Sequence, residues 1–217
     1  MTLPLGEQST MLQMRERLID LGVDGVDRWQ KELERYREGS DQFEDILAQG
    51  PFAREFATRG LAVEMNPMGK RGPDLLLPAL STYVEVLRLP PRETDLPLES
   101  PGDTLEAYGA ENASETITAV IAKKLSQGQN LPNGSSYLVA VRSDSTTFED
   151  IEIEGAVSDM MEEAAGRGAT YSWLGGVLFN DDWFRGREVT GWILWENTNA
   201  NQPLPGAIRN SLDARLL

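Results

Sequence analysis

Cysteine and histidine are both missing from the 217 residues. Without cysteine there are no disulfides and no thiolate chemistry, which fits a reducing cytoplasm. Without histidine the Ser-His and Cys-His mechanisms, histidine-ligated zinc and a histidine general base are all excluded. No run of about eighteen apolar residues occurs, so a membrane-spanning helix is not expected. The opening MTLPLGEQST has neither a basic n-region nor an apolar h-region, so the expected location is cytoplasmic, with no membrane partner. Lysine is scarce among the 20 basic residues, and 35 acids bring the formal charge to −15. Such a surface repels phosphate at long range, unlike that of an ordinary nucleic-acid binder. A partner or a local basic patch would have to offset it, unless the acidity serves solubility alone. Two local motifs are also lacking. Gly175-Gly176 has no G-x-x-x-x-G-K-[ST] around it, and DDWFRG lacks the spacing of a calcium loop.

What is present is an ordinary apolar content, 40% of residues, enough for one sizeable domain with an added arm. Residues 10–38 read as two charged amphipathic helices broken near Gly22 and Gly25. Leu12, Leu18 and Ile19 are predicted to line the first apolar face, and Trp29, Leu33 and Tyr36 the second. Ser40 or Asp41 is a candidate N-cap for a helix over 42–59, which Pro51 splits and Gly60 ends. LAVEMNP then reads as a short strand. PDLLL and TYVEVLRL read as a hairpin around a turn at Pro78–Ser81. Residues 90–104 are proline- and acid-rich and suggest a loop. A helix is expected from about Ser114 to Gln129, followed by YLVAV as a central strand. An acidic helix over 155–166, strands in WLGGVLFN and VTGWILWEN, and a short helix within 206–216 complete the pattern. The order predicts an α/β fold, a mixed β-sheet flanked by helices. Residues 1–39 would be an N-terminal helical arm and 40–217 the α/β domain.

The chemistry lies in GPDLLLPALSTYVEVLRL, residues 72–89. Asp74 opens the first strand of the hairpin and Glu85 lies midway along the second. Both carboxylates can then lie on one sheet face where the ladder opens. With backbone carbonyls and water they would make an oxygen-rich pocket for Mg²⁺ or Mn²⁺. A metal held there can polarise a phosphate and generate hydroxide, with no need for histidine or cysteine.

The PD dipeptide, with VEVLRL following Asp74 so that Glu85 stands eleven positions on, resembles the PD-(D/E)xK nuclease superfamily, whose fold is restriction-endonuclease-like. Three further stretches extend the likeness. FAREFATRG offers Glu55 where the family's preceding helix often carries a glutamate. IAKKLSQ offers Lys123, Lys124 and Gln127 where the following helix often carries lysine and glutamine. YLVAV matches the buried strand after that helix. The resemblance covers roughly residues 42–141. It implies a metal held by Asp74 and Glu85 with Glu55 assisting, and Lys124 with Gln127 positioning water.

The departure is at the third motif position. The family pattern is E-x-K, but this chain reads Glu85-Val86-Leu87, so leucine occupies the lysine's face of the strand. Arg88 points to the opposite face and is too strong a base to accept a proton. In parts of the superfamily the basic residue moves to the neighbouring helix, and Lys124, three residues before Gln127, suits that role.

Two functions are therefore expected. One is a metal-dependent nuclease-like protein that hydrolyses nucleic-acid phosphodiesters, DNA before RNA. The other is a catalytically inactive nuclease-fold module acting as a protein-binding or assembly subunit, with a protein partner or a homo-oligomer. Its contacts would be the arm at 10–38 and Trp173, Trp183, Trp192 and Trp195. Plainer readings compete with both: Asp74 and Glu85 as strand-edge residues, the lysines as a solvated helix face, and the tryptophans as core anchors rather than base-stacking platforms.

Overall fold

The computed structural model describes residues 5–69, 72–89, 118–119, 132–143, 155–159, 162, 172–180 and 192–216. The helix pair expected at the start is present as α1, Leu5–Asp20, and α2, Val26–Leu33. They are parted by Gly22 and Gly25, both at positive φ. Gly25 also lies so close to the Met65 carbonyl that a Cβ could not fit there. Ser40 caps α3, Asp41–Leu47, its hydroxyl accepting from the Phe43 N–H at 3.3 Å. This satisfies one of the orphan donors of the first turn. The next helix, α4, runs from Gln49 to Thr58. The break thus falls at Ala48 and not at Pro51. Pro51 sits in the first turn of α4, where no intrahelical acceptor awaits its missing N–H.

Seven strands form one sheet in sequence order: β1 (Glu64–Met65), β2 (Leu75–Leu77), β3 (Thr82–Leu89), β4 (Ser136–Ser143), β5 (Gly176–Asn180), β6 (Ile193–Glu196) and β7 (Arg215–Leu216). β1, β2 and β3 form an antiparallel meander; β4 and β5 add in parallel, β6 is antiparallel to β5, and β7 is parallel to β6. The hairpin turn is a 3₁₀ segment, Pro78–Leu80, closed by Ser81 at positive φ. LAVEMNP yields only a two-residue strand because Asn66 turns to φ 49 before Pro67. Asparagine is among the few side chains that tolerate that region.

The β3 alternation divides the interior. Val84 and Val86 face a core with Leu75, Leu77 and the four helices. Leu87 and Leu89 face a second core with Val139, Val141 and Phe179. Helical residues 155–159 close that second side through Ala156 and Val157. The result is a mixed sheet flanked by helices. A short helix, α5 (Gly206–Leu212), packs Ile208 and Leu212 into the first core.

The first forty residues are built into the first core. Leu18, Trp29 and Leu33 are fully buried in the same cluster as the sheet, and the Trp29 indole donates to the Ile46 carbonyl at 2.8 Å. The apolar face of α1 differs from the expected one. Leu18 is buried, but Leu12 and Ile19 are each 46% exposed, and Met11, Met14 and Leu21 take the inner side. Tyr36 is also exposed, because α2 ends at Leu33 and the chain turns outward. The loop at 90–104, most of the helix expected at 114–129 and the 181–190 turn lie outside the described residues. Among those described, no helix is long and apolar enough to cross a membrane.

Candidate functional site

Ladder pairing between β2 and β3 ends at Leu75 opposite Val84, so Asp74 stands one step beyond, opposite Glu85. At that step β3 still presents the N–H of Val86 with no β2 carbonyl to receive it. The Asp74 carboxylate takes its place, Oδ2 accepting from the Val86 N–H at 2.8 Å. Its other oxygen, Oδ1, accepts from the Gln49 amide at 2.6 Å, reaching the start of α4. The Asp74 carbonyl receives the Asn66 N–H at 2.7 Å, which carries the β1 edge past its own ladder. Asp74 therefore stitches α4, β1 and β3 together.

Glu85 shares its face with Leu87, toward the second core, and accepts from the Tyr137 hydroxyl at 3.4 Å. That phenol is held far above its ordinary pKa, first by burial, then by the charges of Glu85 and Asp74 and the bond to Glu85. Both carboxylates act on it, so the sequence was right to bring Asp74 and Glu85 together at the open end of the hairpin. Their partners, however, come from opposite sides: Gln49 from the helices of the first core, Tyr137 from the second. Trp173 rests on the Tyr137 ring with centroids 5.2 Å apart.

The other expected site residues fare differently. Glu55 lies along α4 and pairs with its neighbour Arg54 at 3.2 Å. Leu87 is only 3% exposed among Leu89, Val139 and Val141, so the position of the motif lysine is part of an apolar core. Arg88 points to the opposite face, as expected, where it meets Asp41 and Asp45 of α3 at 3.3 Å each. Lys123, Lys124, Gln127 and Trp183 lie outside the described residues. Trp192 is buried in the first core, 5.8 Å from Phe52 between ring centroids.

The resemblance implies Mg²⁺ or Mn²⁺ at Asp74 and Glu85, with Glu55 assisting. Among the described residues no group of three or more acids gathers closely enough to hold a metal ion. Both Asp74 oxygens already receive N–H donors, and a donor aimed at an oxygen disfavours a cation there. The described residues do not fit a three-carboxylate metal centre. What they form is a carboxylate pair bonded into the scaffold.

Sequence reading missed Gln49, Asn66 and Tyr137. Tyr137 opens the apolar strand YLVAV, where an aromatic reads as core. Gln49 and Asn66 carry no motif at all, and only the tertiary fold reveals what they touch. No family model, no curated protein and no solved structure matches this chain.

Proposed function

We propose that this chain is a nuclease-fold module that has lost hydrolysis and works as a binding or assembly subunit. The observation that carries the proposal is Leu87. A lysine at that position would stand beside Glu85, yet the leucine there is packed into the second core. The lineage rests on the order helix, three-stranded antiparallel meander, crossover, parallel strand, with Asp74 and Glu85 at the matching edge. Assembly is supported by α1, whose Leu12 and Ile19 stand seven residues apart on one face and are both exposed.

A second reading, a metal-dependent nuclease active on DNA before RNA, draws on the joint action of Asp74 and Glu85 at the Tyr137 hydroxyl. The two are separated by incubating the purified chain and its Glu85→Gln variant with DNA and RNA in Mg²⁺ or Mn²⁺. The module reading expects no cleavage from either. Metal-dependent cleavage that vanishes in a folded Glu85→Gln protein would refute it. In parallel, sedimentation equilibrium is expected to show self-association that Leu12→Glu with Ile19→Glu weakens.

A further inference from the structure

Two buried side chains beside the Asp74 stitch end in polar atoms with no partner. Gln49 is 5% exposed and Asn66 is 6% exposed. The Asp74 carboxylate can only accept, so the Gln49 NH₂ must face it, and this leaves Gln49 Oε1 unbonded. Asn66 Nδ2 is likewise buried and unbonded. Buried polar groups without partners are rare and costly, each worth about 1–3 kcal/mol of lost solvation. Both residues line one cleft of about 200 Å³ between α2, α3 and the open end of the β2–β3 ladder. An acceptor and a donor are thus aimed into the same space.

The rest of the lining sets the charge. Glu32, Asp45 and Asp74 border the cleft, and no lysine or arginine does so among the described residues. The one described cation close by is Arg88, which binds Asp45 and Asp41. Tyr36, exposed at the end of α2, also borders the cleft and offers an aromatic face. Carboxylates, a buried acceptor and an aromatic face together suit a positive group that has N–H donors. The volume equals that of about seven liquid waters, too small for a drug-sized ligand.

We propose that this cleft binds a small organic cation, a guanidinium or primary ammonium compound. Its N–H group would donate to Gln49 Oε1, an adjacent lone pair or carbonyl would meet Asn66 Nδ2, and its charge would lie against Asp45, Glu32 and Tyr36. The proposal goes beyond the nuclease lineage and does not rest on it. A protein that cut DNA would still carry these two unbonded atoms.

The test uses the full chain at low ionic strength, titrated by calorimetry with agmatine and with the neutral near-isostere N-butylurea. Agmatine is expected to bind saturably and to raise the melting temperature, while N-butylurea does neither. Gln49→Met and Asn66→Leu are each expected to weaken agmatine binding about tenfold. Gln49 also supports Asp74, so Tyr36→Leu and Asp45→Asn at the exposed rim serve as variants that leave the core alone. Each is expected to weaken binding about threefold, with melting unchanged. Absence of saturable agmatine binding, equal binding of N-butylurea, or undiminished binding in the rim variants would each overturn the proposal.

Discussion

Replacing Asp74 by alanine removes more than a candidate metal ligand. In the folded protein its carboxylate receives the Gln49 amide at 2.6 Å and the Val86 N–H at 2.8 Å. Hydrogen bonds to a charged group contribute roughly 1.5–3 kcal/mol each, and donors left dry cost more than bonds that are merely lost. The Val86 N–H lies at the ladder end, where water can partly replace the carboxylate. Gln49 is buried, and its Oε1 already lacks a partner, so Asp74→Ala would leave both ends of its amide unbonded. Counting each bond at its lower value gives a loss of about 3 kcal/mol. For a domain of this size that corresponds to a fall in melting temperature of about 6–12 °C. Urea unfolding followed by tryptophan fluorescence measures it, with Glu55→Ala as the comparison. Glu55 pairs only with its neighbour Arg54, and that substitution is expected to stay within about 0.5 kcal/mol of the parent. If Asp74→Ala proves as stable as Glu55→Ala, the stitch contributes nothing, and Asp74 is available for chemistry after all. A loss of activity in Asp74→Ala is therefore no proof of a metal site unless the variant is shown to be folded.

Three further outcomes are expected. The Tyr137 hydroxyl is held neutral in the fold, above its ordinary pKa, so it contributes stability below pH about 10 that is lost as the unfolded chain begins to ionise above it. Alkaline unfolding midpoints, compared with those of Tyr137→Phe, should show a shallower decline above that pH in the variant. Leu87→Ala empties a fully packed site in the second core and should cost about 3 kcal/mol in urea unfolding; a cost below about 1 kcal/mol would mean the position is open enough for a polar side chain. Gly25→Ala meets both a φ of 78 and the Met65 carbonyl, and should lower the melting temperature by several degrees, where an ordinary exposed helix glycine would gain stability.

Legibility followed the local physics. TYVEVLRL alternates in a way that only a strand satisfies, and its face assignment put Arg88 opposite Glu85 and Leu87 in the core, as found. Ser40 was readable because a cap is a local bond. The apolar face of α1 was not. Apolar residues occur at 11, 12, 14, 18, 19 and 21, so two overlapping stripes fit the helical period. Only packing against α4 selects Met11, Met14, Leu18 and Leu21 and leaves Leu12 and Ile19 outside. The site divides the same way. Asp74 and Glu85 could be paired from hairpin register, a local rule. Gln49 could not, because nothing near it in sequence says that its amide will meet a carboxylate 25 residues on.

Gln49 and Leu87 together bear on what this edge can do. In a hydrolytic site a lysine beside the second carboxylate orients water, and the first carboxylate keeps an oxygen for a cation. Here the lysine's position is apolar, and the cation's oxygen faces the NH₂ of a buried glutamine at 2.6 Å. Magnesium needs near-octahedral oxygen ligands at about 2.0–2.1 Å and gives up water reluctantly. To bind Asp74 Oδ1 it would have to displace that amide, and the amide has no other described partner to turn to. The two features lie on different elements, α4 and β3, and neither requires the other. A single substitution at Leu87 would restore a lysine but would leave the amide in place, and would also bury a charge among Leu89, Val139 and Val141. Restoring hydrolysis would take coordinated changes on both faces of the sheet. That argues for a scaffold now stabilised by its old carboxylates, with binding carried on the helical side where unbonded polar atoms remain.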